Sequence, residues 1–151
     1  MSPFASQMPL ALTEARAAAA RGEVPVGAVV IGPDGTVLAR AGNRTRELQD
    51  PTAHAEILAI RAACAQLGSE RLTDCALYVT LEPCAMCAAA IAAARIARLY
   101  YGAADPKSGG VAQGARVFDQ TQSHHRPEIY DAIDAEASEA LLRAFFETLR
   151  R

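Results

Sequence analysis

Two short stretches, Pro83-Cys84-Ala85-Met86-Cys87 and His54-Ala55-Glu56, constrain this chain more than any others. A Cys-x-x-Cys pair with a histidine thirty positions upstream of Cys84 supplies three soft or borderline ligands, a set that suits zinc. Three protein ligands are the count expected when a metal keeps one position open for water or substrate. Cys84 and Cys87 are three apart at the start of an expected helix and share a face. His54 and Glu56 are two apart and diverge within a helix, so both serve one site only if it lies off the helix end. A helix opening at Thr52 meets that condition. Two helix N-termini then converge on the site, where their dipoles favour thiolates and lower the cysteine pKa values.

A closed structural site needs a fourth ligand, and the remaining cysteines cannot supply it. Cys64 lies ten residues beyond His54 along the same expected helix, about 15 Å away. Cys75 precedes an expected strand whose far end delivers Cys84, which puts it roughly 20 Å away. Both read as buried, inert thiols. A thioredoxin-like Cys-x-x-Cys is the other explanation of Cys84 and Cys87, but it leaves His54-Ala55-Glu56 without a purpose.

The periodicities between and around these stretches predict an α/β chain. Leu10 to Arg21 is Ala-rich and helical, with Gly22 as its stop. Val24 to Ile31 is an almost uninterrupted apolar strand, Gly32-Pro33-Asp34-Gly35 a turn, and Thr36 to Ala41 the returning strand of a hairpin. A polar loop runs from Gly42 to Pro51. A second helix extends from Thr52 to about Gln66, closed by Gly68, and Ala76 to Leu81 is a third strand. Glu82, at the end of that strand, reads as a strand-end or capping residue. A third helix covers Cys84 to Ala94, and Arg98 to Gly102 is a fourth strand. Residues 103–127 are loop-like apart from Val117-Phe118. A brief fifth strand at Glu128 to Asp131 and a final helix over 134–150 complete the chain. In that helix Leu141, Leu142, Phe145, Phe146 and Leu149 form a stripe that docks on the sheet. Strand–helix–strand units imply parallel pairing, and the hairpin adds an antiparallel edge. The expected fold is a single domain over residues 1–151, a three-layer α/β/α arrangement around a mixed five-stranded sheet.

Composition narrows the setting. With 151 residues, 51% hydrophobic and 21% charged, the chain can bury a sizeable core. No apolar run approaches the roughly 20 residues of a membrane span. The first residues lack the basic and apolar regions of a secretory signal, so a cytoplasmic location and reduced thiols are expected. The formal charge of −2 offers no hint of nucleic acid.

Zinc with one open position brings the pKa of water near neutrality. Glu56, which is not a ligand, would take the water's proton, pass it to a ring nitrogen beside the attacked carbon, and protonate the departing amine. The H-x-E and P-C-x-x-C pair is the known signature of zinc nucleobase deaminases.

The chain resembles the bacterial tRNA-specific adenosine deaminases of the cytidine deaminase-like superfamily over nearly its whole length. The resemblance is carried by Glu23-Val24-Pro25-Val26-Gly27-Ala28, Gly42-Asn43-Arg44, Asp50-Pro51-Thr52-Ala53-His54-Ala55-Glu56, Tyr78-Val79-Thr80-Leu81-Glu82-Pro83-Cys84, Arg95-Ile96, Gly102-Ala103, Asp105-Pro106-Lys107 and Phe145-Phe146. It implies conversion of the wobble adenosine of an arginine tRNA anticodon loop to inosine, by a homodimer with one Zn2+ per subunit. The implied ligands are His54, Cys84 and Cys87, and the implied proton shuttle is Glu56. Asn43 and Asp105 would contact base and ribose, while Lys107, Ser108, His125 and Arg126 would line an RNA-facing rim. Plainer readings stand beside these: Asn43 as a turn residue, Asp105 and Lys107 as solvated charges, His124 and His125 as surface histidines, Phe145 and Phe146 as core. Arg44, Arg46, Arg126, Arg150 and Arg151 could pool on one face of a dimer. One departure is visible, because many members carry Gly-Ser-Leu after the Asp-x-Lys loop where this chain has Val111-Ala112-Gln113-Gly114-Ala115. The alternatives are a deaminase of a free base, nucleoside or nucleotide of guanine or cytosine type, and a non-catalytic zinc-stabilised scaffold.

Overall fold

Alternation along the central strands sorts the apolar residues into two cores, one on each face of a single sheet. The structure is a computed structural model and describes residues 5–149. Its elements in order are α1 (Met8–Ala20), β1 (Gly27–Ile31), β2 (Val37–Gly42), α2 (Ala55–Leu67), β3 (Ala76–Leu81), α3 (Ala85–Ala93), β4 (Arg98–Ala103), a 3-10 turn at Val117–Asp119, β5 (Glu128–Tyr130) and α4 (Ala135–Leu149). The sheet order is β2-β1-β3-β4-β5. β1 is antiparallel to both β2 and β3, while β3, β4 and β5 run parallel. The expected mixed five-stranded sheet is therefore present, with helices on both faces.

Ala28 and Val30 of β1, Leu77 and Val79 of β3, and Leu99 and Tyr101 of β4 point to one face. There they meet Ala55, Ala59, Ile60 and Ala63 of α2 and Ala88, Ile91 and Ala92 of α3. The intervening residues Val29, Ile31, Ala76, Tyr78 and Tyr100 point to the other face, against Met8, Ala11 and Leu12 of α1 and Leu141 of α4. This is the period-two pleat of strands covered on both sides. The alanines of α2 and α3 let those helices lie close to the sheet. Tyr78, Tyr100 and Tyr130 occupy one register row across β3, β4 and β5. Their rings stack at centroid distances of 4.4 and 4.9 Å, matching the spacing between neighbouring strands. This stack helps hold the three-residue strand β5.

Several boundaries differ from the sequence reading, α1 among them, which starts at Met8 and not Leu10. β1 starts at Gly27, not Val24, because Pro25 has no N–H and the Val26 amide turns back to the Val24 carbonyl at 2.8 Å. α2 starts at Ala55, not Thr52, because the Asp50 carboxylate accepts both the amide and the hydroxyl of Thr52 in a turn. α3 starts at Ala85, leaving Cys84 as its cap. The stripe on α4 docks only in part: Leu141 joins the second core, whereas Phe146 and Leu149 stay exposed. Arg150, the expected end of that helix, and Arg151 lie outside the described residues.

Leu77 sits on the central strand, fully buried between Val30 and Leu99 on the α2–α3 face. Truncation there leaves a cavity that its sheet neighbours cannot fill. Leu77→Ala should lower stability in urea by about 3 kcal/mol with an unchanged m-value. A loss below about 1 kcal/mol would show that this core is loosely packed.

Candidate metal centre and substrate pocket

The first residue of each of the Cys-x-x-Cys and His-x-Glu stretches falls at a helix cap, and the capping backbone aims its side chain. His54 caps α2 with φ −71° and ψ 153°, and Cys84 caps α3 with φ −71° and ψ 175°. Extended backbone at a cap throws the side chain off the helix end. Two residues on, Glu56 lies inside the first turn of α2, while Cys87 lies in the first turn of α3. The two helix starts converge, and His54, Cys84 and Cys87 bring their ligand atoms within 4.8 Å of one another. The Nδ1 of His54 is 3.6 Å from the Cys84 Sγ and 3.4 Å from the Cys87 Sγ. A tetrahedral zinc with Zn–S of about 2.3 Å and Zn–N of about 2.05 Å requires N···S edges of about 3.5 Å. The donor set and its spacing fit that ion, through Nδ1 of His54. Among the described residues no other such cluster occurs and no fourth protein ligand joins this one. Cys75 is buried in the α2–α3 core with Cys64 packed beside it, and burial pushes both thiols up, so both are inert.

Electrostatics differ among the grouped side chains. Hydrogen bonds from Cys87 and His54 bring the Cys84 thiol down to about 4, a thiolate at neutral pH. That thiolate raises the Cys87 thiol through their hydrogen bond and raises the His54 imidazole. Glu56 is buried, and burial pushes its carboxyl up to about 7 despite its own amide N–H and the nearby His54. A carboxyl poised near neutrality is suited to take and return a proton.

The group opens into a cavity of about 250 Å3 lined by residues that include Asn43, His54, Glu56, Cys84, Asp105 and Ser108. Val24, Val26 and Leu81 add apolar wall. This is just below the roughly 300–1,000 Å3 of pockets for drug-sized ligands, a size for one flat ring system. Asn43 is buried and its Oδ1 accepts the Ala55 amide at 2.8 Å, capping α2 from outside, while the Arg21 guanidinium holds its carbonyl at 3.1 Å. The Asp105 carboxylate accepts the amides of Lys107 and Ser108, shaping the turn that carries Ser108 to the cavity. Lys107 is exposed beside it. His125 and Arg126 are not brought to the cavity. His125 Nε2 meets the Ile96 carbonyl at 2.7 Å, ahead of β4 and at the end of the strand remote from Asp105. Arg126 pairs with Asp119 in a separate hollow.

The loop-holding roles of two residues escaped the sequence reading, which took Glu82 only as a strand-end or capping residue. Glu23 and Glu82 are buried carboxylates, each 2% exposed, and each accepts several backbone amides from a loop at the cavity rim. Glu23 takes the amides of Arg46 and Glu47. Glu82 takes those of Asp105, Val111, Ala112 and Gln113. The only sequence signal was a lone glutamate at each end of an apolar run, before Val24 and after Leu81.

The sequence matches the MafB19-like deaminase family over residues 4–150. It is 59% identical over 143 residues to a tRNA-specific adenosine deaminase of Agrobacterium fabrum, covering 95% of this chain and 93% of that protein. This chain belongs to the tRNA-specific adenosine deaminase family. A solved structure from a study of A-to-I editing by tRNA:A34 deaminases at the wobble position of transfer RNA superposes with a TM-score of 0.88. It has 60% identity and covers 89% of this chain and 97% of its own. A guanine deaminase from Bacillus subtilis is more distant, at 31% identity and a TM-score of 0.65 over 97% of this chain and 94% of its own.

Burial pushes the Glu23 carboxyl up, but the amides of Glu47 and Arg46, the Thr45 hydroxyl and the Arg21 charge outweigh it and hold the group below its ordinary value. Such a depressed carboxyl stabilises the fold above the unfolded pKa of about 4.3, and that stabilisation disappears as pH falls through the lower folded value. Glu23→Gln should therefore lower Tm by about 5 °C at pH 7. The gap from the wild type should narrow below about pH 4. A gap that stays constant from neutral to acid pH would contradict the assignment.

Proposed function

We propose that this chain is a zinc-dependent hydrolase that converts adenosine to inosine at the wobble position of tRNA, an arginine tRNA in the first instance. The observation that carries the reading is a buried Glu56 beside a three-ligand cluster, both opening into a cavity sized for one ring system. Its similarity to tRNA-specific adenosine deaminases over nearly the full chain selects the substrate.

His54, Cys84 and Cys87 would hold one Zn2+ per subunit. Zinc there supplies a water acidic enough to lose its proton near neutral pH. Glu56 takes that proton and delivers it to the ring nitrogen next to the attacked carbon. It then takes the second proton of that water, carried on the newly added oxygen, and gives it to the leaving amine, so that adenosine and water become inosine and ammonia. Burial makes this cycle workable, because a carboxyl near neutrality both accepts and releases. Asn43, Asp105 and Ser108 orient the flipped base and its ribose, and exposed Lys107 meets the backbone phosphates. Gripping only a short loop with its base turned out of the stack requires no overall positive charge. The outward face of α3, with Ala85, Met86, Ala89 and Ala93 exposed, supports pairing as a homodimer. No helix among the described residues is long and apolar enough to cross a membrane. A cytoplasmic site of action accords with a tRNA substrate.

Purified, zinc-loaded protein should produce inosine in an anticodon stem-loop with wobble adenosine and leave free adenosine, cytidine and guanine untouched. Turnover of free guanine with the stem-loop unchanged would move the protein to the guanine-deaminase branch. Glu56→Ala should reduce kcat by at least about 10^3 while metal analysis still finds one zinc per chain. Near-normal turnover by that variant would remove Glu56 from the mechanism.

A further inference from the structure

Glu82 takes no part in the chemistry described above, yet it is among the most deeply buried charged residues of the chain. Its own amide extends the β3–β4 ladder to the Ala103 carbonyl at 2.8 Å, fixing its place at the end of the sheet. Its two carboxylate oxygens are used differently. Oε1 accepts the Asp105 amide at 3.0 Å. Oε2 accepts three successive amides, from Val111 at 3.1 Å, Ala112 at 2.9 Å and Gln113 at 3.1 Å. Three consecutive N–H groups turned on one oxygen form an anion nest, and four amide donors offset the desolvation of the buried charge. One side chain thus ties down both ends of the 105–113 loop.

The middle of that loop is fixed by contact. A Cβ on Gly109 would lie 2.6 Å from the Glu82 carboxyl carbon, so only glycine lets the loop close over the carboxylate. The next amide, of Gly110, donates to the Pro83 carbonyl at 2.8 Å, tying the loop to the backbone just ahead of Cys84. Asp105 and Ser108, the cavity residues of this loop, are carried on the tethered portion. Because the grip uses backbone amides only, the side chains of Ala112 and Gln113 can depart from the family's pattern without loosening it, while Val111 also packs into the α2–α3 core.

We propose that Glu82 is a positioning residue for substrate: its carboxylate sets where Asp105 and Ser108 stand at the cavity and thereby sets affinity for the base, without touching the reacting atoms. The proposal rests on the tRNA-deaminase reading for the identity of the substrate.

Glu82→Gln distinguishes the two oxygens. An amide side chain offers one acceptor, which the three-donor nest captures, and its NH2 then opposes the Asp105 N–H. KM for the anticodon stem-loop should rise about tenfold, the effect of stranding one buried donor, with kcat within about threefold of wild type. Zinc should remain at one per chain. Hydrogen exchange should quicken in residues 105–113 and stay unchanged in α3. If Glu82 acts through Asp105, the two substitutions are non-additive, so adding Glu82→Gln to Asp105→Ala should raise KM by less than about twofold further. An unchanged KM, additive penalties, or exchange quickened throughout the molecule would overturn the proposal. Should the variant fail to fold, exchange in the wild type decides: the amides of Asp105, Val111, Ala112 and Gln113 must be protected. A wild type that leaves the stem-loop unconverted defeats the substrate reading. The exchange results would then decide Glu82 on their own, with localised loosening sustaining it and none overturning it.

Discussion

Two helix N-termini meeting at one end of a sheet are the constraint on which the rest of this structure depends. α2 and α3 each begin with a cap residue in extended backbone, and those caps are His54 and Cys84. The cap geometry projects the imidazole and the thiol off the helix ends toward a common point, while Cys87 and Glu56 follow from the first turns. Hydrogen bonds with Cys87 and His54 hold the Cys84 thiol at about 4, and the positive end of α3 favours the same thiolate. Only residues 82–84 lead from β3 to α3, whereas the longer loop 43–54 leads from β2 to α2. The packing brings the two ends together by laying α2 and α3 side by side on the same face.

Three glutamates are buried in this chain, and their surroundings give them different work. Glu23 and Glu82 sit among backbone amides, which stabilise the charge and use it to hold the loops carrying Thr45–Glu47 and Asp105–Gln113. Glu56 lies within the α2–α3 layer with few donors, and burial raises it to about 7. The same residue type anchors a loop where N–H groups converge and, under the proposed reading, carries a proton where they do not. Pocket walls and pocket chemistry are thus built from one side chain in different settings.

The cavity also explains how a chain of net charge −2 can act on a polyanion. Under the proposed reading, recognition concentrates in the small hollow lined by Asn43, Asp105 and Ser108, while Arg44 and Arg126 pair with Glu47 and Asp119. Specific contacts to one extruded ring would then replace a broad electrostatic surface.

The grouping of His54, Cys84 and Cys87 and the α/β order were legible from residue identity and spacing. The almost uninterrupted apolar run that holds β1 likewise foretold a sheet covered on both faces. The start of α2 was placed three residues early, at Thr52, and that of α1 two residues late, at Leu10; at α2 the bonds from Thr52 to Asp50 compete with the helix and residue propensity does not register them. His125 and Arg126 follow the loop closely in sequence, yet the path to β5 carries them away from the cavity. The roles of Glu23 and Glu82 were invisible for a deeper reason. They act on backbone amides, which every residue possesses, and only the folded path of the chain decides where those amides point.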